Sequence, residues 1–324
     1  MKKNNIIIYV SSKNNYDMFG GEVLKNINTE GFELINIDDN SSTEEIKKGK
    51  QICKENDIVF LENKSVGVQM ATQTLIDFIN KNRPHCKWII CFQHDNWPLS
   101  DNFFERLSKL IDTKKLDEFG GLGFNLLDEG EYSGDSYNRW KGGESVSGML
   151  GLAHLSVKSN TARWLTDNRN QYIKEQPEKW KKPFIVEMPL WAIAGINVKL
   201  WNECIKPTTD YQFHLWYPDV AIQFNYHNKA IIVLPDLYCM NNQRLKTKYG
   251  MNHNSAAGSN EGDEYHFGRY SNHDAWIERW GWNYESPWEN FFQIKENYKG
   301  TLIYDFYYHE VSNGPLKSYD LGEY

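Results

Sequence analysis

The chain has little cysteine, no long hydrophobic run and no excess of positive charge. Its five cysteines are scattered without C-x-x-C spacing, which argues against a disulfide framework or a zinc site and favours buried thiols in a reducing compartment. The apolar run near the amino terminus covers only residues 6–10, too short for a signal peptide or a membrane span. We therefore expect a cytoplasmic protein without a membrane span.

The charge balance is acidic, with 43 Asp and Glu against 36 Lys and Arg and a formal net charge of −7. An acidic surface repels polyanions, so nucleic acid is excluded as the expected partner. The 40% apolar and 15% aromatic fractions are typical of a globular protein. The 12 Trp and 19 Tyr allow two interpretations, because large aromatics fill cores and also offer flat faces on which sugar rings stack.

Strand and helix patterns alternate through the first 112 residues. The patterns predict strands at 6–10, 33–38, 57–61 and 88–92, and helices at 22–27, 43–53, 66–79 and 100–111. Ser42 or Thr43 is the expected cap of the second helix, and Ser100 that of the fourth. Such alternation predicts an α/β fold whose sheet is mostly parallel and carries helices on both faces.

The second half of the chain is less regular. We expect strands at 119–127 and 230–234, helices at 159–176, 220–226 and 274–280, and mixed strand and turn character at 191–201. Long segments rich in glycine and polar residues, at 130–148 and 252–268, are expected to be loops. The pattern predicts an irregular C-terminal extension.

Two of the predicted strands end in polar clusters. The second strand ends in Asp38 and Asp39, and the fourth is followed by Gln93-His94-Asp95-Asn96. In open α/β sheets, ligands bind at the carboxyl ends of the strands. The two clusters therefore suggest a nucleotide at one strand end and its diphosphate, with a cation, at the other. The alternative for Asp38 and Asp39 is turn and capping chemistry, for which Asp-Asn-Ser-Ser is also well suited.

Four segments, in order along the chain, resemble the GT-A glycosyltransferases and, within them, the inverting glycosyltransferase family 2. They are FELINIDDNSS at 32–42, NKSVGVQMATQ at 63–73, FQHDNWPLSDNFFERL at 92–107, and WAIAGINVKLW at 191–201 with YPDVAIQF at 217–224. The resemblance implies a GT-A (Rossmann-like) domain with a nucleotide-sugar-binding half at 1–112 and an acceptor-binding half at 113–245. Residues 246–324 would form a C-terminal extension that serves as a lid or an oligomer contact.

The resemblance also implies an activity. The chain would move a sugar from a nucleotide-sugar donor, UDP-linked, to a glycan or glycoconjugate acceptor by single displacement with inversion. Asp95 matches the metal-binding acid of the family and would bind Mn²⁺ or Mg²⁺, and His94 as a nitrogen ligand would favour Mn²⁺. Asp219 matches the general base, although Pro218 stands where the family has a second acid. The alternative for Asp219 is an N-cap of the helix that follows it.

The resemblance implies a set of substrate-binding residues as well. Asp38 or Asp39 would accept hydrogen bonds from a uracil or ribose, and Gly67 would let a helix begin close to a phosphate or a base. The full set of substrate-binding candidates is Ser11, Asp38, Asp39, Gly67, His94, Trp191 and Gly195.

Three other functions stay open at this point. A nucleotidyltransferase would need a glycine-rich triphosphate loop after the first strand, whereas residues 10–15 contain one lysine and no glycine. A sugar-binding protein that has lost catalysis is the second alternative. It is suggested by the segments at 94–96 and 218–219, which contain fewer acids than the matching motifs of the family. A retaining transferase on the same fold would differ in the anomeric configuration of its product.

Overall fold

A computed structural model describes residues 3–129, 177–187, 194–211, 216–242, 245, 248–249, 273–281, 295–309 and 313–324. The strands are β1 (Lys3–Ser12), β2 (Phe32–Asp38), β3 (Val59–Glu62), β4 (Trp88–Phe92), β5 (Asn96–Pro98), β6 (Gly121–Glu129), β7 (Phe184–Val186), β8 (Ala194–Asn197) and β9 (Ile231–Asn242). The helices are α1 (Tyr16–Met18), a π-helix (Phe19–Val23), α2 (Leu24–Asn26), α3 (Thr43–Glu55), α4 (Val68–Asn82), α5 (Phe103–Asp112), α6 (Pro177–Trp180), α7 (Val198–Cys204), α8 (Trp216–Tyr226), α9 (His273–Trp280), a 3₁₀ helix (Lys295–Tyr298) and α10 (Leu302–Tyr308).

The strands form one sheet that runs through both predicted halves. Its order in the described residues is β3-β2-β1-β4-β8-β6-β9-β5, with β7 paired to β9. The pairs β1–β2, β1–β4 and β2–β3 are parallel, as predicted. Beyond β4 the sheet is mixed, because β8 pairs antiparallel with both β4 and β6, while β6 and β9 are parallel. The α/β fold class is therefore confirmed, with its parallel character concentrated in the first half.

Strand β1 shows why the sheet is buried on both faces. Ile7 and Tyr9 pack into one hydrophobic layer, and Ile6, Ile8 and Val10 pack into the other. Alternate side chains of a strand point to opposite faces, so a continuous apolar run is buried on both sides only when helices cover both. The sequence pattern at 6–10 indicated this arrangement.

Two predicted helix caps have different outcomes. Ser42 caps α3, since its Oγ accepts a hydrogen bond from the backbone N–H of Glu45 at 3.3 Å. The prediction for Ser100 is wrong, because α5 begins only at Phe103. The Ser100 hydroxyl instead accepts from the backbone N–H of Tyr238 at 2.7 Å, so this serine ties the loop before α5 to β9.

The described part of the C-terminal extension belongs to the same core as the sheet. Trp276, Trp280 and Ile303 join one hydrophobic layer, and Phe306 and Leu321 join the other. Large aromatic and aliphatic side chains gain most of their stabilisation from such burial. The extension therefore completes the hydrophobic core, and its role as a lid or an oligomer contact stays a prediction.

All five cysteines are free and buried, so the prediction of buried thiols is confirmed. In the described segments, we find no helix of the length and apolarity that crossing a bilayer requires. Several predictions fall outside the described residues: the loop at 130–148, the helix at 159–176, the segment at 252–268 and the side chain of Trp191.

Candidate active site

The strand order creates a crevice between the carboxyl ends of β1 and β4. The chain adds β2 and then β3 on one side of β1 and afterwards crosses to place β4 on the other side. Connections diverge at such a switch point, and ligands of open α/β sheets bind there. Residues 11–13 lie at the end of β1, residues 93–95 follow β4, and Asp38 and Asp39 lie at the end of the neighbouring strand β2.

The two adjacent aspartates at the end of β2 have different surroundings. Asp38 is 1% exposed. Its Oδ2 accepts a hydrogen bond from the Tyr16 hydroxyl at 2.8 Å, and its Oδ1 accepts from the backbone N–H of Ser41 at 3.0 Å. Both oxygens of Asp38 are thus used within the protein, which fixes the turn that leads into α3.

Asp39 accepts its hydrogen bonds through one oxygen, Oδ1. Its Oδ1 accepts from Asn63 Nδ2 at 2.7 Å and from the backbone N–H of Gly67 at 3.1 Å, and Asn40 Nδ2 lies 3.4 Å away. Gly67 precedes α4 with φ of 90°, a conformation that favours glycine. Within the described segments no hydrogen bond reaches Oδ2, and 6% of the residue stays exposed. Asp39 is therefore the aspartate of the pair that can offer an oxygen to a ligand.

Burial also changes the acidity of Asp39. Desolvation raises the pKa of this carboxyl, because burial disfavours the charged form. The hydrogen bond from Asn63, the positive charge of Lys13 and the N–H of Gly67 act in the opposite direction. A carboxylate with fixed donors on one oxygen keeps its second oxygen well oriented for a ligand.

A serine–histidine contact bridges the base of the crevice. The Ser12 hydroxyl lies 2.7 Å from His94 Nε2 and also accepts a hydrogen bond from Asn36 Nδ2. Which of the two atoms donates depends on the tautomer of the ring, because the serine hydroxyl can donate one hydrogen bond and accept two. Burial lowers the pKa of His94 to about 4, in agreement with a neutral ring. With Nε2 directed at Ser12, that nitrogen is not available to a metal ion.

Asp95 stands at the end of β4 and is 3% exposed. Its Oδ1 accepts from Asn96 Nδ2 at 3.2 Å, and its carbonyl oxygen accepts from the backbone N–H of Asn242 at 2.6 Å, which ties this strand end to β9. Over the described segments, no group of three or more His, Cys, Asp or Glu side chains could hold a metal ion. A single carboxylate fits a hard cation that is held mainly by the phosphates of a ligand, as Mg²⁺ often is.

Asp219 lies in the first turn of α8 and is fully buried. Because α8 begins at Trp216, the expectation that Asp219 is an N-cap is wrong. Its Oδ2 accepts from Gln69 Nε2 at 2.9 Å and from Gln223 Nε2 at 2.8 Å. Its Oδ1 accepts from Trp280 Nε1 at 2.9 Å and lies 3.2 Å from Arg279 Nε. The carboxylate joins α4, α8 and α9.

Desolvation raises the pKa of Asp219, while the charge of Arg279 and the hydrogen bonds from Gln69, Trp280 and Gln223 oppose this rise. In this conformation no oxygen of Asp219 is open to an acceptor hydroxyl. Its role as a general base therefore stays a prediction and requires Trp280 and Arg279 to leave Oδ1.

The remaining candidates lie apart from the crevice or at its edge. Ser11 is half-buried in β1, opposite Ile37 of β2. Gly195 lies inside β8, paired with Ile90 and Leu122, in the segment for which the sequence predicted mixed strand and turn character. A Cβ at position 195 would come within 2.8 Å of the Leu122 Cβ, so close packing explains this glycine.

Sequence reasoning missed several residues that hold the site. They are Tyr16, Asn36, Asn63, Gln69, Arg279 and Trp280. Asn63 follows β3 as Asp39 follows β2, so the rule of polar residues at strand ends could have found it. The contacts of Asp219 with Gln69 and Trp280 cross 150 and 61 positions and leave no local signal.

Replacement of Tyr16 by Phe is expected to lower the free energy of unfolding by about 1–3 kcal/mol, because Asp38 Oδ2 would lose a buried donor. Urea denaturation monitored by tryptophan fluorescence measures the change. Tyr226→Phe is the matched control, since Tyr226 is 44% exposed. Equal losses in the two variants would contradict the role assigned to the Tyr16 hydroxyl.

Comparison with known proteins supports the fold. No protein-family model and no curated protein sequence matches the chain. A crystal structure of GalNAc-T7 with UDP, GalNAc and Mn²⁺ superposes with a TM-score of 0.50 and 11% identity over 74% of this chain and 44% of that chain. A mannosyltransferase from Pyrobaculum calidifontis, in complex with GDP-Man and Mn²⁺, superposes with a TM-score of 0.45 and 11% identity over 73% of this chain and 56% of that one.

The chain thus spans less than half the length of the GalNAc-T7 chain. At this level of identity the likeness bears on the fold. The parallel β3-β2-β1-β4 order, the switch-point crevice and the superposition agree with one another. The protein has the fold of the GT-A glycosyltransferases.

Proposed function

We propose that the protein transfers a sugar from a nucleotide-sugar donor, UDP-linked, to a glycan or glycoconjugate acceptor, by single displacement with inversion. The observation that carries the proposal is the placement of two acids around the switch-point crevice. Asp39 offers Oδ2 beside the end of β2, and Asp95 stands at the end of β4. The fold supports the proposal, since ligands of open α/β sheets bind at this point.

The nucleoside end of the donor is assigned to Asp39. Its Oδ1 is fixed by Asn63 and Gly67, so Oδ2 keeps one orientation without further loss of side-chain entropy. A carboxylate oxygen accepts hydrogen bonds from the N3–H of a uracil ring or from ribose hydroxyls. We assign this role to Asp39 rather than Asp38, because each oxygen of Asp38 already accepts a hydrogen bond from Tyr16 or Ser41.

The diphosphate end of the donor is assigned to Asp95. Two phosphate charges next to a carboxylate repel one another, which requires a positive charge between them. A Mn²⁺ or Mg²⁺ ion that arrives with the donor would supply this charge and help the diphosphate to leave. Asp95 would hold such an ion from the protein side.

The acceptor end is assigned to Asp219. Gln69 and Gln223 hold its Oδ2, so Oδ1 becomes the oxygen that takes a proton once Trp280 and Arg279 withdraw. Burial raises the pKa of this carboxyl, which makes it a stronger base than an exposed aspartate. As the acceptor oxygen attacks the anomeric carbon, its proton passes to Asp219 and the nucleoside diphosphate leaves on the opposite face of the sugar.

Asp39→Asn is expected to weaken UDP binding about 10- to 100-fold, because the amide keeps an oxygen for Asn63 and Gly67 but replaces Oδ2 with a donor. Isothermal titration calorimetry measures the change, with thermal unfolding as the check of folding. Unchanged affinity for uridine and UDP in a folded variant would remove Asp39 from the site.

The activity itself is tested by a panel of nucleotide sugars incubated with and without Mn²⁺, with release of the nucleoside diphosphate as the readout. We expect slow donor hydrolysis that depends on the cation and falls at least about 100-fold in Asp95→Asn, since an uncompensated diphosphate leaves poorly. Asp101→Asn is the control, because Asp101 is exposed. Binding of free glycans without binding of any nucleotide sugar would instead support the sugar-binding protein that has lost catalysis.

The base assignment is tested by Asp219→Asn beside Trp280→Phe. The first variant is expected to lower kcat about 1000-fold with donor affinity retained, and the second to keep transfer, because only Asp219 takes the proton. In the native protein kcat should rise with pH through the raised pKa of Asp219, as the carboxylate must be ionised. Full activity of folded Asp219→Asn would refute the assignment, and anomeric proton NMR of the product distinguishes inversion from retention.

A further inference from the structure

Lys13 stands at the crevice without an assigned role. It directly follows β1, the strand shared by both sides of the switch point. Three strand ends meet there, with the sequences Ser12-Lys13-Asn14, Asp39-Asn40 and Gln93-His94-Asp95. Lys13 is the single lysine or arginine in these three segments. Among the described residues of these three strand ends, one cationic side chain therefore stands beside the buried Asp39 and Asp95.

The backbone around Lys13 is firmly held. The Ser12 carbonyl accepts from the N–H of Asp39 at 2.7 Å, and the N–H of Asn14 donates to Ser41 Oγ at 2.7 Å. Asn14 and Asn15 adopt φ values of 58° and 57°, in the left-handed region. Non-glycine residues in this region cost free energy and persist where the surroundings fix them, which is often at functional sites. The turn thus holds Lys13 at the rim of the crevice.

The surroundings of Lys13 suit a ligand anion. The residue is only partly exposed, and no hydrogen bond or ion pair of its ammonium group is described among the residues that the structure covers. Its charge nevertheless reaches Asp39, where it opposes the effect of burial on the pKa of that carboxyl. An ammonium group that is partly removed from water, acts on the charge of Asp39 and has no ion-pair partner among the described residues can donate hydrogen bonds to an incoming oxyanion.

We propose that Lys13 binds a phosphate group of a nucleoside diphosphate in this crevice. The proposal rests on the proposed function and extends it to a named residue. A lysine ammonium binds phosphate as a point charge with three donors. Lys13 would offset part of the repulsion between the diphosphate and Asp95, in addition to any cation that arrives with the donor. Asp95 alone is then enough to hold the cation, because Lys13 on the opposite rim neutralises part of the diphosphate charge.

The test compares uridine, UMP and UDP as ligands of the full chain by isothermal titration calorimetry. Lys13→Gln is expected to weaken UDP binding about 10- to 100-fold and to leave uridine binding unchanged, because only the phosphates meet the ammonium group. Lys13→Arg should retain most of the UDP affinity. Lys64→Gln is the matched control, since Lys64 is exposed and follows β3. Raising the salt concentration should weaken UDP binding to the native protein more than to Lys13→Gln.

Equal UDP affinity of the native protein and Lys13→Gln would overturn the proposal, as would an equal loss of uridine and UDP binding in that variant. The second result would assign Lys13 to the architecture of the nucleoside site. A native protein that binds neither uridine nor UDP would refute the proposed function itself. This failure is distinguishable from failure of the Lys13 proposal, because it is seen with the native protein alone.

Discussion

The contact between the Asp39 carboxylate and the backbone N–H of Gly67 fixes the geometry of the crevice. It joins the end of β2 to the start of α4, and Asn63 adds the end of β3 through the same oxygen. The end of one strand, the end of the next strand and the start of the helix after it thus share one acceptor atom. Because a buried acceptor without donors is costly, this arrangement holds the strand ends in register and orients the second oxygen of Asp39.

Helix α4 connects this contact to the other end of the proposed site. Gly67 at its start meets Asp39, and Gln69, two positions later, meets Asp219. Gln69 also accepts from the N–H of Thr208 through its Oε1, so both the nitrogen and the oxygen of its side-chain amide are hydrogen-bonded. One short turn of helix therefore sets the positions of the residues assigned to the nucleoside and to the acceptor, and a shift of α4 would move both.

The sequence was most informative where the structure depends on local periodicity. Apolar runs at 6–10, 33–38 and 88–92 predicted the parallel strands, and the acids at or after their ends indicated the sheet edge of the candidate site. Sequence reasoning was least informative where side chains meet across long separations. Asp38 and Asp39 are neighbours of the same type, and only the positions of Tyr16 and Asn63 in space distinguish their roles. Ser100 is a residue type that often caps helices, but its hydroxyl accepts a hydrogen bond from the N–H of Tyr238 in β9 instead.

The position of Gly67 has a consequence for the electrostatics of the crevice. The first N–H groups of a helix carry a partial positive charge that often attracts phosphates. At α4 the carboxylate of Asp39 already lies against this end of the helix. An incoming anion finds the macrodipole screened there and experiences less attraction than at a bare helix start. The polarity of the crevice therefore differs from side to side, and in the proposed function the acidic side near α4 suits the neutral heterocycle while the phosphates lie towards the opposite rim.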